Sequence, residues 1–94
     1  MELHEVDCKV PGGKLIRLRA QIGGGRIKEI RITGDFFLHP EERIGELETA
    51  LAGKKLERVT LQKTVEQALS DCEIVGFSES DMVNALMRLQ SDSP

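Results

Sequence analysis

The chain has two histidines and two cysteines, side chains that commonly bind transition metals: His4, Cys8, His39 and Cys72. His4 and Cys8 would share one face of a strand, but four strand residues separate them by roughly 13 Å. One ion cannot bridge that distance, and neither His39 nor Cys72 has a partner at metal-ligand spacing. We therefore predict no metal site, with Cys8 in a sheet core and Cys72 in the apolar stripe of a helix.

The sequence also lacks a motif for catalysis. No Ser, Cys or His stands in the context of a known nucleophile motif. Two segments, Gly12-Gly13-Lys14 and Gly23-Gly24-Gly25, have the composition of phosphate-binding loops. Each leads into a strand, however, whereas a phosphate-binding loop opens a helix. We interpret both as hairpin turns, and we expect no catalytic residue and no bound cofactor on this chain.

Basic residues are concentrated between positions 14 and 31, where six Lys and Arg stand against Glu29 alone, a local charge of +5. Because the whole chain has a net charge of −3, the rest must carry −8. A basic sheet that binds nucleic acid presents aromatic side chains on its exposed face to stack on bases. The face expected here has none, and it contains Arg17, Arg19, Gln21 and Arg31. We therefore predict no nucleic-acid partner.

These residues must be positioned by three strands that alternate apolar and polar side chains. Their apolar positions are Val6, Cys8 and Val10, then Ile16, Leu18, Ala20 and Ile22, then Ile27, Ile30 and Ile32. Short glycine turns between them predict an antiparallel meander with one apolar face.

The hairpin registers decide which charges face each other. If residue 10 pairs with 14, two acids face two arginines: Asp7 faces Arg17, and Glu5 faces Arg19. If residue 22 pairs with 26, Arg19 faces Glu29 but Arg17 faces Arg31. Like charges directly opposite are destabilising unless an acid or anion lies between them. Asp7 is one such acid, and it would leave this face as an ordinary solvated strand surface.

Helical spacing predicts three helices after residue 40. Their apolar stripes are Ile44, Leu47 and Leu51; Leu61, Val65, Ala68, Leu69 and Cys72; and Met82, Leu86 and Leu89. Gly53 ends the first helix, Thr60 caps the second, and Ser78 with Asp81 forms a capping box for the third. The polar residues 91–94 are expected to fray. Strands followed by helices predict one α+β domain over residues 1–94, with the helices on one face of the sheet.

The third strand ends in a corner that contains two of the three aromatic residues. Gly34 interrupts the alternation, and we expect Asp35 to fix the turn by bonding its own nearby backbone. Phe36 and Phe37 follow, and Pro40 is expected at the first position of the first helix. Because neighbouring residues in extended chain face opposite ways, one phenylalanine is expected inside and the other outside.

The composition indicates a small cytoplasmic protein with a thin core. The N-terminus lacks the basic start and apolar segment of a signal peptide, and no apolar run is long enough to span a membrane. Two cysteines far apart in sequence do not suggest a disulfide framework. The core must be built mostly of Ile, Leu and Val, because the chain has no Trp or Tyr. A partner that buries more surface would stabilise it.

The corner sequence Gly34-Asp35-Phe36-Phe37, placed after a strand of the form I-x-x-I-x-I, resembles the C-terminal accessory domain of lipoate–protein ligase. Gly12-Gly13 and the Leu51-Ala52-Gly53 ending fit the same pattern, and the similarity runs from about Pro11 through the helices. In many ligases this domain follows a large catalytic domain, and in some microbes it is a separate protein. A chain that starts at Met1 suggests the separate form.

The resemblance implies a non-catalytic subunit of a two-part ligase. The large catalytic subunit would bind ATP and lipoate, form lipoyl-adenylate, and transfer the lipoyl group to a lysine of a lipoyl-acceptor domain. The accessory subunit would be needed for the activation step. Its fold is similar to that of sulfur-acceptor and iron–sulfur scaffold proteins, and such a free-standing protein is one alternative, although neither cysteine is expected on an exposed loop. A regulatory domain that binds a small ligand is the other alternative.

We expect the catalytic subunit to bind two parts of the surface, and lipoyl-acceptor domains to be served only indirectly. The first part is the corner of Gly34, Asp35, Phe36 and Phe37. The second is the basic face, with Arg17 as the first expected contact and Lys14 and Arg31 after it. These basic side chains would meet an acidic patch of the partner or lie near the ATP triphosphate.

Overall fold

The computed structural model describes residues 2–91. We expected residues 91–94 to fray; Ser91 is the last helical residue, and residues 92–94 lie outside the described range. Its elements are β1 (Glu2–Lys9), β2 (Leu15–Gly23), β3 (Arg26–Gly34), β4 (Phe37–His39), α1 (Glu42–Leu51), α2 (Arg58–Ala68), β5 (Glu73–Val75) and α3 (Glu79–Ser91). The antiparallel meander β1-β2-β3 and the three helices confirm the predicted α+β fold. The short strands β4 and β5, which pair as a second sheet, were not predicted.

The core lies between the inner face of the meander and the helices, with α1 against β3 and α3 against β1 and β2. It is formed almost entirely by aliphatic side chains. Fully buried members are Ile16, Leu18, Ile27, Leu47, Leu51, Leu61, Leu69, Met82, Leu86 and Leu89. The opposite face of the meander carries the charged residues of the alternating pattern and is open to solvent. This arrangement confirms that the helices cover one face only.

The first hairpin has the predicted register, with Asp7 opposite Arg17 and Glu5 opposite Arg19. The second does not. Ile22 pairs with Ile27 but Gln21 pairs with Glu29, so one residue of β3 is extra at a β-bulge. Beyond it, Arg19 stands opposite Arg31 and Arg17 opposite Thr33. The expected pairs Arg19–Glu29 and Arg17–Arg31 are therefore wrong.

The bulge follows from the spacing of the isoleucines in β3. Ile27 and Ile30 are both buried, yet they are three positions apart. A regular strand with a two-residue period would place them on opposite faces. The extra residue, Lys28, restores the inward direction of both side chains and shifts the register of everything after it. Exposing an isoleucine to water would cost more free energy than interrupting the hydrogen-bond ladder between β2 and β3.

The helix boundaries differ from prediction at three positions. Pro40 precedes α1 and accepts a hydrogen bond from the Arg43 backbone at 3.1 Å, so it lies in the turn before the helix. Thr60 lies inside α2, which begins at Arg58, because the chain is already helical there. Cys72 lies beyond the end of α2, just before β5. None of the helices within residues 2–91 is long and apolar enough to cross a membrane.

The capping box of α3 is confirmed. The Ser78 backbone N–H donates to Oδ2 of Asp81 at 2.8 Å, and the Asp81 N–H donates to Oγ of Ser78 at 3.1 Å. Both groups thus satisfy donors at the start of the helix that lack intrahelical partners. At the end of α1, Gly53 has φ of 86° and donates its N–H to the carbonyl of Ile27. The C-cap of α1 is Ala52, one residue before the predicted Gly53, and Gly53 ties this end to β3.

Candidate functional site

The corner after β3 is held by a bond across the hairpin. Oδ1 of Asp35 accepts a hydrogen bond from the backbone N–H of Leu15 at 2.8 Å. We expected Asp35 to bond its own nearby backbone, and this expectation is wrong, because the carboxylate reaches the start of β2. A Cβ atom at Gly34 would collide with the carbonyl of Leu15 and come within 2.8 Å of the Phe36 ring. Glycine is needed here for close approach of the chain.

The two phenylalanines of the corner point in different directions, as predicted. Phe36 is half-buried, and its ring meets the buried ring of Phe77 edge to face, with the centroids 4.8 Å apart. Phe37 is 50% exposed and lies parallel to the His39 imidazole, with the centroids 6.5 Å apart. Phe36 therefore fixes the corner to the body of the protein, while Phe37 remains available at the surface.

Phe37 has an exposed apolar neighbour that the sequence pattern did not predict. It pairs directly with Val75 across the β4–β5 ribbon, and Val75 is 54% exposed. Residues directly opposite in a ladder share one face of the sheet, so the two side chains form one apolar patch. A three-residue strand gives too short a pattern to recognise, although Glu73-Ile74-Val75 does alternate. We name Phe37 and Val75 the ribbon patch.

Lys14 lies at the same corner. Its backbone N–H donates to the carbonyl of Gly76 at 3.0 Å. A Cβ atom at Gly76 would lie 3.0 Å from the Cβ of Lys14, which shows how closely the two segments pack. Because Gly76 directly follows Val75, Lys14 borders the ribbon patch. The structure thus brings Lys14 together with the phenylalanine corner, from which it is more than twenty residues distant in sequence.

Arg17 and Arg31 lie elsewhere, on the exposed face of the meander. They line a shallow concavity of about 500 Å³ together with Leu3, Arg19, Gln21, Glu29 and Thr33. Nε of Arg17 lies 3.0 Å from Oδ1 of Asp7, and Nε of Arg19 lies 3.8 Å from Oε2 of Glu5. We name this concavity the arginine face. The predicted site residues therefore fall into two groups, and the importance of Arg19 was not recognised from the sequence.

The residues considered for metal and thiol chemistry are scattered. Within residues 2–91, no three metal-ligating side chains are grouped so that they can hold an ion. Cys8 and Cys72 are both free and half-buried, and Sγ of Cys72 lies 3.8 Å from Nη1 of Arg43. The imidazole of His4 is buried, and its Nδ1 has no hydrogen-bond partner among the described residues. No cysteine of this part of the chain lies on an exposed loop tip.

The sequence model of the family described as "Bacterial lipoate protein ligase C-terminus" matches residues 4–86. The chain belongs to this family. The match covers both the meander and the helices, including the Gly34–Phe37 corner on which the resemblance was based. The resemblance stated from the sequence is therefore confirmed.

Two matches come from the archaeon Thermoplasma acidophilum. The chain is 47% identical over 45 residues to its lipoate-protein ligase A subunit 2, and this segment is 48% of each protein. The aligned segment thus spans about half of that relative. A solved structure of a bi-partite lipoate protein ligase and its E2 lipoyl domain contains a chain that superposes with a TM-score of 0.79 at 31% identity. That alignment covers 90% of the present chain and 94% of the other.

Proposed function

We propose that the chain is the non-catalytic accessory subunit of a two-part lipoate–protein ligase. Together with a large catalytic subunit, it is required for the ATP-dependent activation of lipoate to lipoyl-adenylate. The catalytic subunit then transfers the lipoyl group to a lysine of a lipoyl-acceptor domain. The observation that carries this proposal is the likeness over nearly the whole of both chains to a chain from a bi-partite lipoate protein ligase structure.

The proposal gives the chain an accessory role without catalysis of its own. The described residues offer no grouped metal ligands and no exposed cysteine, and the glycine-rich segments lie in hairpin turns. In this proposal ATP and lipoate bind to the catalytic subunit. The accessory chain contributes by docking beside that active site and excluding water, which strengthens electrostatic interactions around the phosphates.

The ribbon patch is the best-supported docking point. Exposed aromatic residues are typical anchors of protein interfaces, and Phe37 has a second apolar side chain directly opposite it. The position of Phe37 is fixed by the contacts of the three residues before it, Gly34, Asp35 and Phe36. Lys14 borders the patch. Arg17 and Arg31 offer positive charge to the same catalytic subunit from the arginine face.

We place this complex in the cytoplasm. Both cysteines are free thiols, which agrees with a compartment that keeps thiols reduced. The lipoyl-acceptor domains are served by the assembled ligase, so this chain meets them only indirectly. Neither nucleic acid nor membrane has a part in the proposal.

The test is reconstitution. The purified chain, the purified catalytic subunit and their mixture are compared for lipoate-dependent release of pyrophosphate from ATP. We expect no turnover by this chain alone and strong stimulation in the mixture. Lipoate-dependent turnover by this chain alone, or full activation by the catalytic subunit alone, would refute the proposal.

A cysteine-free variant separates this function from that of a sulfur acceptor or iron–sulfur scaffold. Both of those activities need a reactive thiol. Cys8→Ser combined with Cys72→Ser should therefore retain full stimulation of the catalytic subunit. Rapid labelling of one cysteine, together with loss of stimulation in the double variant, would favour the sulfur-handling alternative.

A further inference from the structure

Arg19 and Arg31 stand directly opposite each other on the exposed face of the meander. Like charges in this position destabilise a sheet. One neighbouring carboxylate relieves part of the repulsion, since Oε2 of Glu5 lies 3.8 Å from Nε of Arg19. Arg31 forms no ion pair with any residue between 2 and 91. Arg17, by contrast, has a close partner in Asp7.

The core fixes which backbone positions of β2 and β3 pair, but it does not require an arginine at position 31. The bulge at Lys28 is required to bury both Ile27 and Ile30, and it sets position 31 opposite position 19. Any polar residue at position 31 would be compatible with exposure to solvent on this face. An unfavourable local choice that is only partly compensated is typical of functional sites.

The surroundings of the pair determine what it can bind. The arginine face carries three guanidinium groups and the carboxylate of Glu29, while Asp7 and Glu5 lie beside it in ion pairs with Arg17 and Arg19. Arg31 is the guanidinium group of this set that has no ion pair within residues 2–91. Guanidinium groups bind carboxylates and phosphates through paired hydrogen bonds. Leu3, which is 46% exposed, and the arginine stems add apolar surface to the same concavity.

We propose that Arg19 and Arg31 together bind a carboxylate on an acidic segment of the catalytic subunit. This inference rests on the proposed function and identifies the residue pair that fixes the electrostatic part of the interface. The acid relieves the repulsion between the two guanidinium groups, so the strain present in the free chain favours the complex. Arg17 borders this carboxylate site while remaining paired with Asp7.

A protein carboxylate fits this surface better than other anions. Small-molecule sites bury most of their ligand, whereas every residue lining this concavity is exposed or half-exposed. Nucleic acid requires aromatic groups for stacking, and none lines the concavity. Glu29 would also repel a continuous phosphate backbone.

The experiment measures two properties of the same variants. In the free chain, Arg31→Gln removes the repulsion, so the melting temperature should rise by up to about 5 °C. In the complex, Arg31→Gln should weaken association with the catalytic subunit at low salt by about ten-fold. The double variant with Arg19→Gln and Arg31→Gln should bind the catalytic subunit only slightly more weakly than Arg31→Gln alone, because both arginines hold one carboxylate.

Lys63→Gln is the matched control, since Lys63 is exposed on α2 and its replacement removes the same charge from the other side of the protein. It should leave both the melting temperature and the affinity near those of wild type. Arg31→Lys keeps the charge, so it should retain fast low-salt association but bind less tightly at high salt, where paired hydrogen bonds matter most.

The outcomes separate the two proposals. If wild type stimulates the catalytic subunit but Arg31→Gln and the double variant associate like wild type at both salt concentrations, the arginine inference is overturned and the proposed function stands. If wild type neither binds nor stimulates the catalytic subunit, the proposed function fails and this inference fails with it. Greater thermal stability together with weaker association supports the arginine site.

Discussion

The carboxylate of Asp35 accepts a hydrogen bond from the backbone N–H of Leu15 at 2.8 Å, which joins the end of β3 to the start of β2. Gly34, the residue before it, packs so closely against the carbonyl of Leu15 that no side chain fits. These two contacts hold the chain at the point where it leaves the meander for the ribbon. The direction of Phe37 therefore depends on residues of the sheet.

Removal of the Asp35 carboxylate should loosen this corner. We expect Asp35→Ala to lower the free energy of unfolding by about 1 kcal/mol, since the Leu15 N–H then has only water as a partner. Asp35→Asn keeps an acceptor oxygen in the same place, so its free energy of unfolding should be closer to that of wild type. Urea denaturation of the three proteins measures the difference. Equal midpoints would show that the hydrogen bond contributes nothing to stability.

Two glycine substitutions should have opposite effects. Gly34→Ala places a Cβ against the Leu15 carbonyl and should destabilise the fold by about 2 kcal/mol or more. Gly45 lies inside α1, where an added Cβ meets nothing within 4 Å. Gly45→Ala should therefore stabilise the fold by about 0.5–1 kcal/mol, the usual difference in helix propensity. Thermal unfolding of both variants and of wild type measures the two changes in stability.

Much of the fold is predictable because its core obeys simple periodicities. The alternation of Ile16, Leu18 and Ala20 specifies a strand with one buried face, and the capping box of Ser78 and Asp81 specifies where α3 begins. The register of the second hairpin was missed because it depends on competition between the ladder and the burial of two isoleucines. The three-residue gap between Ile27 and Ile30 is the sequence signal for the bulge.

The candidate site was only partly predictable for a similar reason. The opposite directions of Phe36 and Phe37 follow from local alternation, which is a property of neighbouring residues. The pairing of Phe37 with Val75 is a contact between β4 and β5, which are separated by two helices. Each of these strands has only three residues, so neither gives a recognisable pattern by itself. Their pairing exists because the tertiary fold brings them together.

Phe36 and Phe37 should respond differently to truncation. Phe37→Ala should leave the melting temperature nearly unchanged and weaken association with the catalytic subunit by about 2 kcal/mol. Phe36→Ala removes the contact with Phe77 and should destabilise the fold by about 2 kcal/mol. Calorimetric titration against the catalytic subunit, with thermal unfolding of each variant, separates the two effects. If both variants merely unfold, Phe37 belongs to the core and the ribbon patch is not an anchor.

The ion pair of Arg17 and Asp7 allows a test of charge without a large change in stability. The side chains are 53% and 59% exposed, and such pairs contribute about 0–1 kcal/mol. Arg17→Ala and Asp7→Ala break the same pair, so both should lower the stability by the same small amount. Their effects on the charge of the arginine face are opposite, because one variant removes a positive charge and the other a negative one.

If the arginine face meets an acidic surface, Arg17→Ala should slow association with the catalytic subunit and Asp7→Ala should accelerate it. We expect changes of about two- to five-fold in the association rate at low ionic strength, which shrink as salt screens the charges. Stopped-flow association at low and high salt measures both variants against wild type. Rates equal to wild type in both variants at low salt would show that this pair only stabilises the strand surface. Opposite shifts that disappear at high salt cannot come from the shared loss of stability, and they would place this face toward the partner.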